Sequence, residues 1–324
     1  MYKKIVLIML CFLVAISCSS PSSPNSSNNG NIGNNGDTGN SGETQTPVIP
    51  PTLDEETQKY GIDISQDDAE ISKQIEEKLQ EYYNEKASYK VIFKGVPKNY
   101  MLKANSSLAA LTINAAEKIN ADNITIDTKN IDFQNGAITE LMFASGGVSK
   151  KRLSFIFPDD KIITIEQNAF LNLNNNIEEL IIPNSVVSIG ERAFQAIYSL
   201  KSLTLDSKLQ IIGDYAFLYL ESLRELIIPD SVISIGKGAF ANSSLEKVTI
   251  SASVKEIKNS AFNTSRKLNT VIYLGTSPND INYENDAFLY CNNLTTLILP
   301  NVPNPDYNTW KNFLGCNFTV VKQK

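Results

Sequence analysis

Six Ala-Phe pairs recur through the second half of this chain: Ala169-Phe170, Ala193-Phe194, Ala216-Phe217, Ala239-Phe240, Ala261-Phe262 and Ala287-Phe288. Their phenylalanines lie 24, 23, 23, 22 and 26 residues apart, a self-similar spacing that belongs to stacked coils and not to the irregular apolar spacing of a globular core. The expected fold is therefore a solenoid. Such a fold presents a long, regular surface on which each coil touches only its neighbours. It offers no obvious enclosed place for chemistry.

One coil shows the whole repeat. Leu223, Leu226 and Ile228 read as an L-x-x-L-x-I strand ended by Pro229; Val232 and Ile235 return inward, Gly236 turns, and Ala239-Phe240 closes the coil. The series recurs at Ile177, Leu180, Ile182, Pro183, Val186, Ile189, Gly190 and Phe194. It recurs again at Leu200, Leu203, Leu205, Leu209, Ile212, Gly213 and Phe217, and at Leu245, Val248, Ile250, Val254, Ile257 and Phe262. Looser coils flank these over 155–170, over 268–288 with a three-residue insertion, and over 294–313, with 318–321 as a closing strand. About six coils result. Side chains alternate across a strand, so Leu226 and Ile228 point inward and Ile227 outward, and stacking pairs the strands into one parallel sheet. Gly190, Gly213 and Gly236 mark a position of positive φ or of tight packing, although Glu166 and Lys258 fill it in two coils. The alanine before each phenylalanine leaves room for a short helical or 3₁₀ turn, which periodicity does not tell apart.

The run I-P-x-S-V-x-x-I-G-x-x-A-F stands intact at 182–194 and at 228–240. On these residues, 152–324 resemble the BspA-type leucine-rich repeat family. The resemblance implies an α/β leucine-rich repeat solenoid, with a parallel sheet on the concave side and short helical or irregular turns opposite. It also implies a surface lipoprotein or secreted surface protein of host-associated bacteria or some protists, several of which are adhesins for host matrix proteins or other microbes. The family defines a scaffold more firmly than a ligand, so a protein and a glycan both remain open as partner.

The start of the chain points to the envelope independently. Lys3 and Lys4 precede an apolar run over 5–16, and Ala15-Ile16-Ser17-Cys18 follows as a small-residue cleavage site, so 1–17 read as a secretion signal. Twelve apolar residues are too few to span a bilayer. Cys18 resembles the acylated cysteine of a bacterial lipobox; the alternative is ordinary cleavage after Ser17 with no lipid. More than one acyl chain would anchor the protein stably. The expected location is the bacterial cell envelope, as an outer-membrane lipoprotein exposed at the surface. Residues 18–52 then comprise the lipidated cysteine and a tether rich in Ser, Asn, Gly, Pro and Thr. This composition cannot offset its ordering entropy, and a flexible coil of that length reaches about 30 Å.

Residues 53–151 form a third segment. Ile71, Ile75, Leu79 and Tyr82 fall at helical spacing, 89–93 alternate as a strand, 108–119 suit a second helix and 123–126 a second strand. A small α/β N-terminal cap over the first coil is one reading, since an open solenoid end exposes apolar core. A distinct binding domain is another, and a small enzyme a third.

Composition narrows the chemistry. The chain has no histidine, the commonest general base near neutral pH. Asp67-Asp68, Glu76-Glu77 and Asp159-Asp160 are adjacent pairs whose members point different ways, and no nucleophile elbow or phosphate-binding loop occurs. Neither an enzyme nor a cofactor is expected. Asp280, Asn282, Glu284 and Asp286 alternate as calcium ligands often do, yet Asn285 and Cys291 stand where an EF-hand needs Gly and Glu. Cys291 and Cys316 each lie three residues after a coil phenylalanine, so they form either a bridge or a pair of stacked free thiols. The net charge of −6 disfavours nucleic acid and anionic membrane surfaces as partners, leaving the lipid as the membrane contact.

The candidate partner-binding residues are the outward strand column Ile156, Ile181, Thr204, Ile227, Thr249, Ile272 and Ile298. Five isoleucines in seven strands would make an exposed apolar stripe, and such stripes mark interaction surfaces. Glu179, Glu225 and Lys247 stand on its rim, with Ser202, Thr270 and Thr296. The alternative is plain strand propensity. In function the chain reads as a non-enzymatic, lipid-anchored surface protein that binds a protein or glycan in adhesion to host or microbe. The other reading is a structural or assembly component of the envelope that binds another bacterial protein.

Overall fold

Strands that repeat once per coil satisfy their backbone groups by lying beside their equivalents one coil on. The computed structural model describes residues 52–100, 106–284 and 286–324, and every strand pairing in it is parallel. The L-x-x-L-x-I strands follow one another coil by coil: Leu153–Ile156, Glu179–Ile181, Ser202–Thr204, Glu225–Ile227, Lys247–Ile250, Thr270–Tyr273 and Thr296–Ile298, ending at Val320–Lys322. Leu226 stands opposite Val248, Val248 opposite Val271, and Val271 opposite Leu297. All four are buried, as the inward column requires.

The expectation of one sheet does not hold on this side. Among the described residues no strand pairing joins Leu153–Ile156 to Glu179–Ile181, or Ser202–Thr204 to Glu225–Ile227. The unbroken ladder lies elsewhere, in a seven-stranded sheet of two-residue strands: Ala137–Ile138, Thr164–Ile165, Ser188–Ile189, Ile211–Ile212, Ser234–Ile235, Glu256–Ile257 and Asn282–Tyr283. The glycines explain its closeness. The N–H groups of Gly213 and Gly236 donate to Ile189 and Ile212, each at 2.8 Å. A Cβ on Gly213 would lie 2.7 Å from the Ile189 oxygen, and one on Gly236 only 2.5 Å from the Gly213 carbonyl carbon. Neither residue has a left-handed φ. At these glycines the backbones approach too closely for a Cβ, whereas Glu166 and Lys258 take the equivalent position with amide bonds of 2.9 and 3.0 Å.

The Ala-Phe corner is neither helical nor 3₁₀. Asn168, Arg192, Tyr215, Gly238 and Ser260, each just before an alanine, are left-handed, and so are Asn172, Ala196, Tyr219, Asn242, Thr264 and Tyr290, two residues after each phenylalanine. Left-handed residues on both flanks leave no room for a helical turn. The corner instead hydrogen-bonds to the next coil: the Phe170, Phe194, Phe217 and Phe262 amides each donate to the following alanine carbonyl at 2.8 Å, and Phe240 does so at 2.7 Å. The rings follow the backbone, stacking at centroid distances of 4.8, 5.2, 5.3, 5.4 and 4.8 Å from Phe170 to Phe288.

The stack begins one coil before residue 152. Ala137–Ile138 pairs with Thr164–Ile165, the Phe143 amide donates to Ala169 at 2.9 Å, and the Phe143 ring lies 5.1 Å from Phe170. Met142 hides this coil from the pattern by standing where later coils have alanine.

N-terminal to it, α1 (Glu55–Tyr60), α2 (Asp68–Lys86) and α3 (Leu108–Lys118) alternate with the strands Gly61–Asp63, Tyr89–Gly95 and Ile124–Ile131. The α2 helix starts at Asp67, whose side chain accepts the Glu70 amide, and buries Ile71, Ile75, Leu79 and Tyr82 on one face. These strands continue the sheet into the first long strand, with Ile126 opposite Phe155. One hydrophobic core therefore runs from α2 to the last coil. At the far end α4 (Tyr307–Trp310) brings Trp310 and Phe313 to 6.1 and 4.8 Å from Tyr273. Among the described residues no helix is long and apolar enough to cross a membrane. Cys18, the signal and most of the tether lie outside the described residues.

Candidate binding face

The outward column is assembled by strand register. Ile181 stands opposite Thr204, Ile227 opposite Thr249, Thr249 opposite Ile272, and Ile272 opposite Ile298. Its exposure is uneven: Ile156 is 37% exposed, Ile181 56% and Ile227 67%, whereas Thr249, Ile272 and Ile298 are half-buried. Thr204 is exposed and interrupts the isoleucines. The apolar surface is thus concentrated on the N-terminal half of the column.

The column has a closed end. Asp127 is the residue opposite Ile156, and Ile92 is opposite Asp127; both are buried. The α1 helix lies over them, with Tyr60 in a buried cluster with Tyr82 and Ile92. Lys90 Nζ bridges Glu56 of α1 at 2.6 Å and Asp127 at 3.1 Å. Burial acts to raise the Glu56 carboxyl, but hydrogen bonds from Lys90 and Tyr82 outweigh it and hold the group below its ordinary range. The charge that burial would otherwise penalise is neutralised within the cluster. Nothing in the sequence pattern announced this roof, because E-E-T-Q-K-Y has no apolar periodicity.

The rim is charged and partly paired. Lys247 binds Glu225 at 2.8 Å across adjacent strands, while Glu179 makes no ion pair among the described residues. One residue back along the strands, pairs repeat coil to coil: Arg152 with Asp122 at 2.5 Å, Lys201 with Glu178 at 2.9 Å, and Arg224 with Glu246 at 3.8 Å. A groove the sequence reading did not single out opens where the long-strand ladder is unpaired, lined by Phe155, Ile156, Phe157, Asp159, Ile181 and Asp206 among others. The only sequence signal for it is an aspartate just after two of the strands.

Elsewhere the side chains do not converge on chemistry. Among the described residues no group of three or more His, Cys, Asp or Glu is placed to hold a metal; Asp286 instead lies 3.3 Å from the Ser260 hydroxyl. Cys291 and Cys316 are free thiols. Burial pushes both up to about 12, with the neighbouring Cys291 adding to the shift of Cys316.

The model of the BspA type leucine rich repeat region matches in six copies, over residues 138–269 and 211–322, which is more than half of the chain. The chain belongs to this family. Matching from 138 agrees with the coil that Met142-Phe143 closes. No curated protein matches the chain. Solved structures similar to this family member include a leucine-rich repeat protein from Bacteroides ovatus, 18% identical over 62% of this chain and 60% of that one, with a TM-score of 0.37. A leucine-rich cell surface protein from Faecalibacterium prausnitzii is 20% identical over 63% and 60%, with a TM-score of 0.35. A leucine-rich repeat protein from Eubacterium ventriosum is 17% identical over 72% and 63%, with a TM-score of 0.39. The chain thus spans about three fifths of the length of those structures.

Proposed function

We propose that this protein is a non-enzymatic component of the bacterial cell surface, anchored by lipid at Cys18, that binds a protein or glycan through the outward face of its long strands and acts in adhesion. The observation that carries the reading is the exposure of Ile181 and Ile227, 56% and 67%, on strands whose inward residues are wholly buried. An apolar row left in water on a rigid scaffold costs solubility, and its usual return is an interface. Ile156 extends the row; Thr204, Thr249, Ile272 and Ile298 continue it, with Glu179, Glu225 and Lys247 as its polar border.

The test is capture of partners on immobilised full-length chain, comparing wild type with the Ile181→Lys, Ile227→Lys double variant. Partner binding should be lost while unfolding changes by no more than about 0.5 kcal/mol per exposed site. Retained binding would remove this face from the function. Cys18→Ala tests the anchor separately: the variant should leave the detergent phase, and unchanged partitioning would refute acylation. Protease digestion on intact cells distinguishes surface exposure from a role inside the envelope, because an enclosed protein resists until the envelope is opened.

A further inference from the structure

We propose that the groove between the strands Leu153–Ile156 and Glu179–Ile181 is a socket for a lysine or arginine side chain, presented by an extended segment of a protein partner. This rests on the reading of the outward face as a binding surface and names what it binds. The groove is lined by the apolar Phe155, Ile156, Phe157 and Ile181 together with the acidic Asp159 and Asp206. It lies where these two strands do not pair with each other.

Charge complementarity selects the occupant. Neither Asp159 nor Asp206 takes part in an ion pair among the described residues. Lys208 pairs instead with Asp160, at 3.7 Å. Among the described residues the Asp206 carboxylate accepts hydrogen bonds only from Ser207, its amide at 2.5 Å and its hydroxyl at 3.0 Å. Glu179 adds a third unpaired acid on the same face. A lysine or arginine matches both parts of this lining: its methylene stem covers the apolar residues and its head reaches the two carboxylates. A neutral apolar side chain would desolvate those carboxylates without compensation, and an acidic one would be repelled. An uncharged glycan would donate hydroxyls to the carboxylates but leave their charge uncompensated, and its binding would not weaken with salt. Phosphate-bearing ligands meet the wrong sign.

A displayed library of random linear peptides, selected on the full-length chain, tests this. Selected peptides should carry a lysine or arginine flanked by apolar residues. They should bind at least about tenfold more weakly to Asp159→Asn, Asp206→Asn than to wild type, and lose affinity as salt is raised. Circular dichroism of the variant should be unchanged, since both residues lie at the surface. Peptides that lose binding to Ile181→Lys but not to the asparagine variant, or that lack a cation, would overturn the socket while leaving the binding face intact. Selected peptides indifferent to Ile181→Lys and Ile227→Lys as well would overturn both.

Discussion

The ring of Phe217 lies 5.3 Å from that of Phe240 with 2° between their planes, and the Phe217 amide donates to the carbonyl of Ala239, the residue just before Phe240. Backbone and side chain thus couple the same two coils at one corner. Because Phe217 is fully buried between Phe194 and Phe240, Phe217→Ala should cost about 3–5 kcal/mol. A solenoid transmits stability only through nearest neighbours, so the variant should also unfold in two steps where wild type shows fewer. Chemical denaturation followed by circular dichroism checks both points. A loss below about 1 kcal/mol would mean the ring is not a core residue.

The glycine column makes a sharper claim about space. Gly236 is not left-handed, so alanine there is conformationally allowed, yet its Cβ would meet the Gly213 carbonyl carbon at 2.5 Å. Backbone on backbone cannot relax as a flexible side chain can. Gly236→Ala should therefore destabilise by about 1–3 kcal/mol through overpacking, where the same change at a compatible site would stabilise slightly. Thermal unfolding of the variant decides the sign.

How much of this was legible in the sequence depended on whether a residue acts through its own coil or through a distant one. The stack from Phe170 to Phe288 was legible because each ring repeats a local pattern and burial admits few substitutes. The coil at Phe143 was not, because Met142 breaks the Ala-Phe signature while keeping its backbone geometry. The alternation of Leu226 and Ile227 foretold which side faces water. It could not foretell that Ile272 and Ile298 are half-buried while Ile181 is open, since that depends on neighbouring coils. The roof over Asp127 was invisible because α1 is six polar-rich residues held by polar contacts to residues distant in sequence, Glu85, Lys90 and Asn130 among them, and by Tyr60 against Tyr82. Gly190, Gly213 and Gly236 were read with two meanings, and only backbone distances separate them.

Where the helical N-terminal part meets the first long strand, acid should weaken the fold. Hydrogen bonds from the Arg152 side chain, at 3.1 Å and 2.5 Å, lower the Asp122 carboxyl from 3.8 to about 2. A group depressed in the folded state contributes stability above its unfolded value and loses it as pH falls through the folded one. The contribution should therefore fade between pH 3.8 and about 2. Both side chains are more than a third exposed, so salt screens the pair. Arg152→Gln should flatten the melting temperature against pH in that window, with less difference from wild type at high salt. Equal slopes would show that the pair contributes nothing.

The two cysteines at equivalent coil positions permit a chemical test of the C-terminal packing. The Cys291 thiol donates to the Phe262 carbonyl at 3.2 Å, and burial raises both thiols to about 12. Only the thiolate attacks an alkylating reagent, so at mildly alkaline pH the native protein should present almost none at either site. Iodoacetamide followed by peptide mapping should label Cys291 and Cys316 slowly in the folded chain and rapidly in denaturant. Cys316 is partly exposed where Cys291 is buried, so any native labelling should reach Cys316 first. Fast labelling of Cys291 without denaturant would mean that the last coils open readily, because a thiol under the Phe288 corner can ionise only when water reaches it.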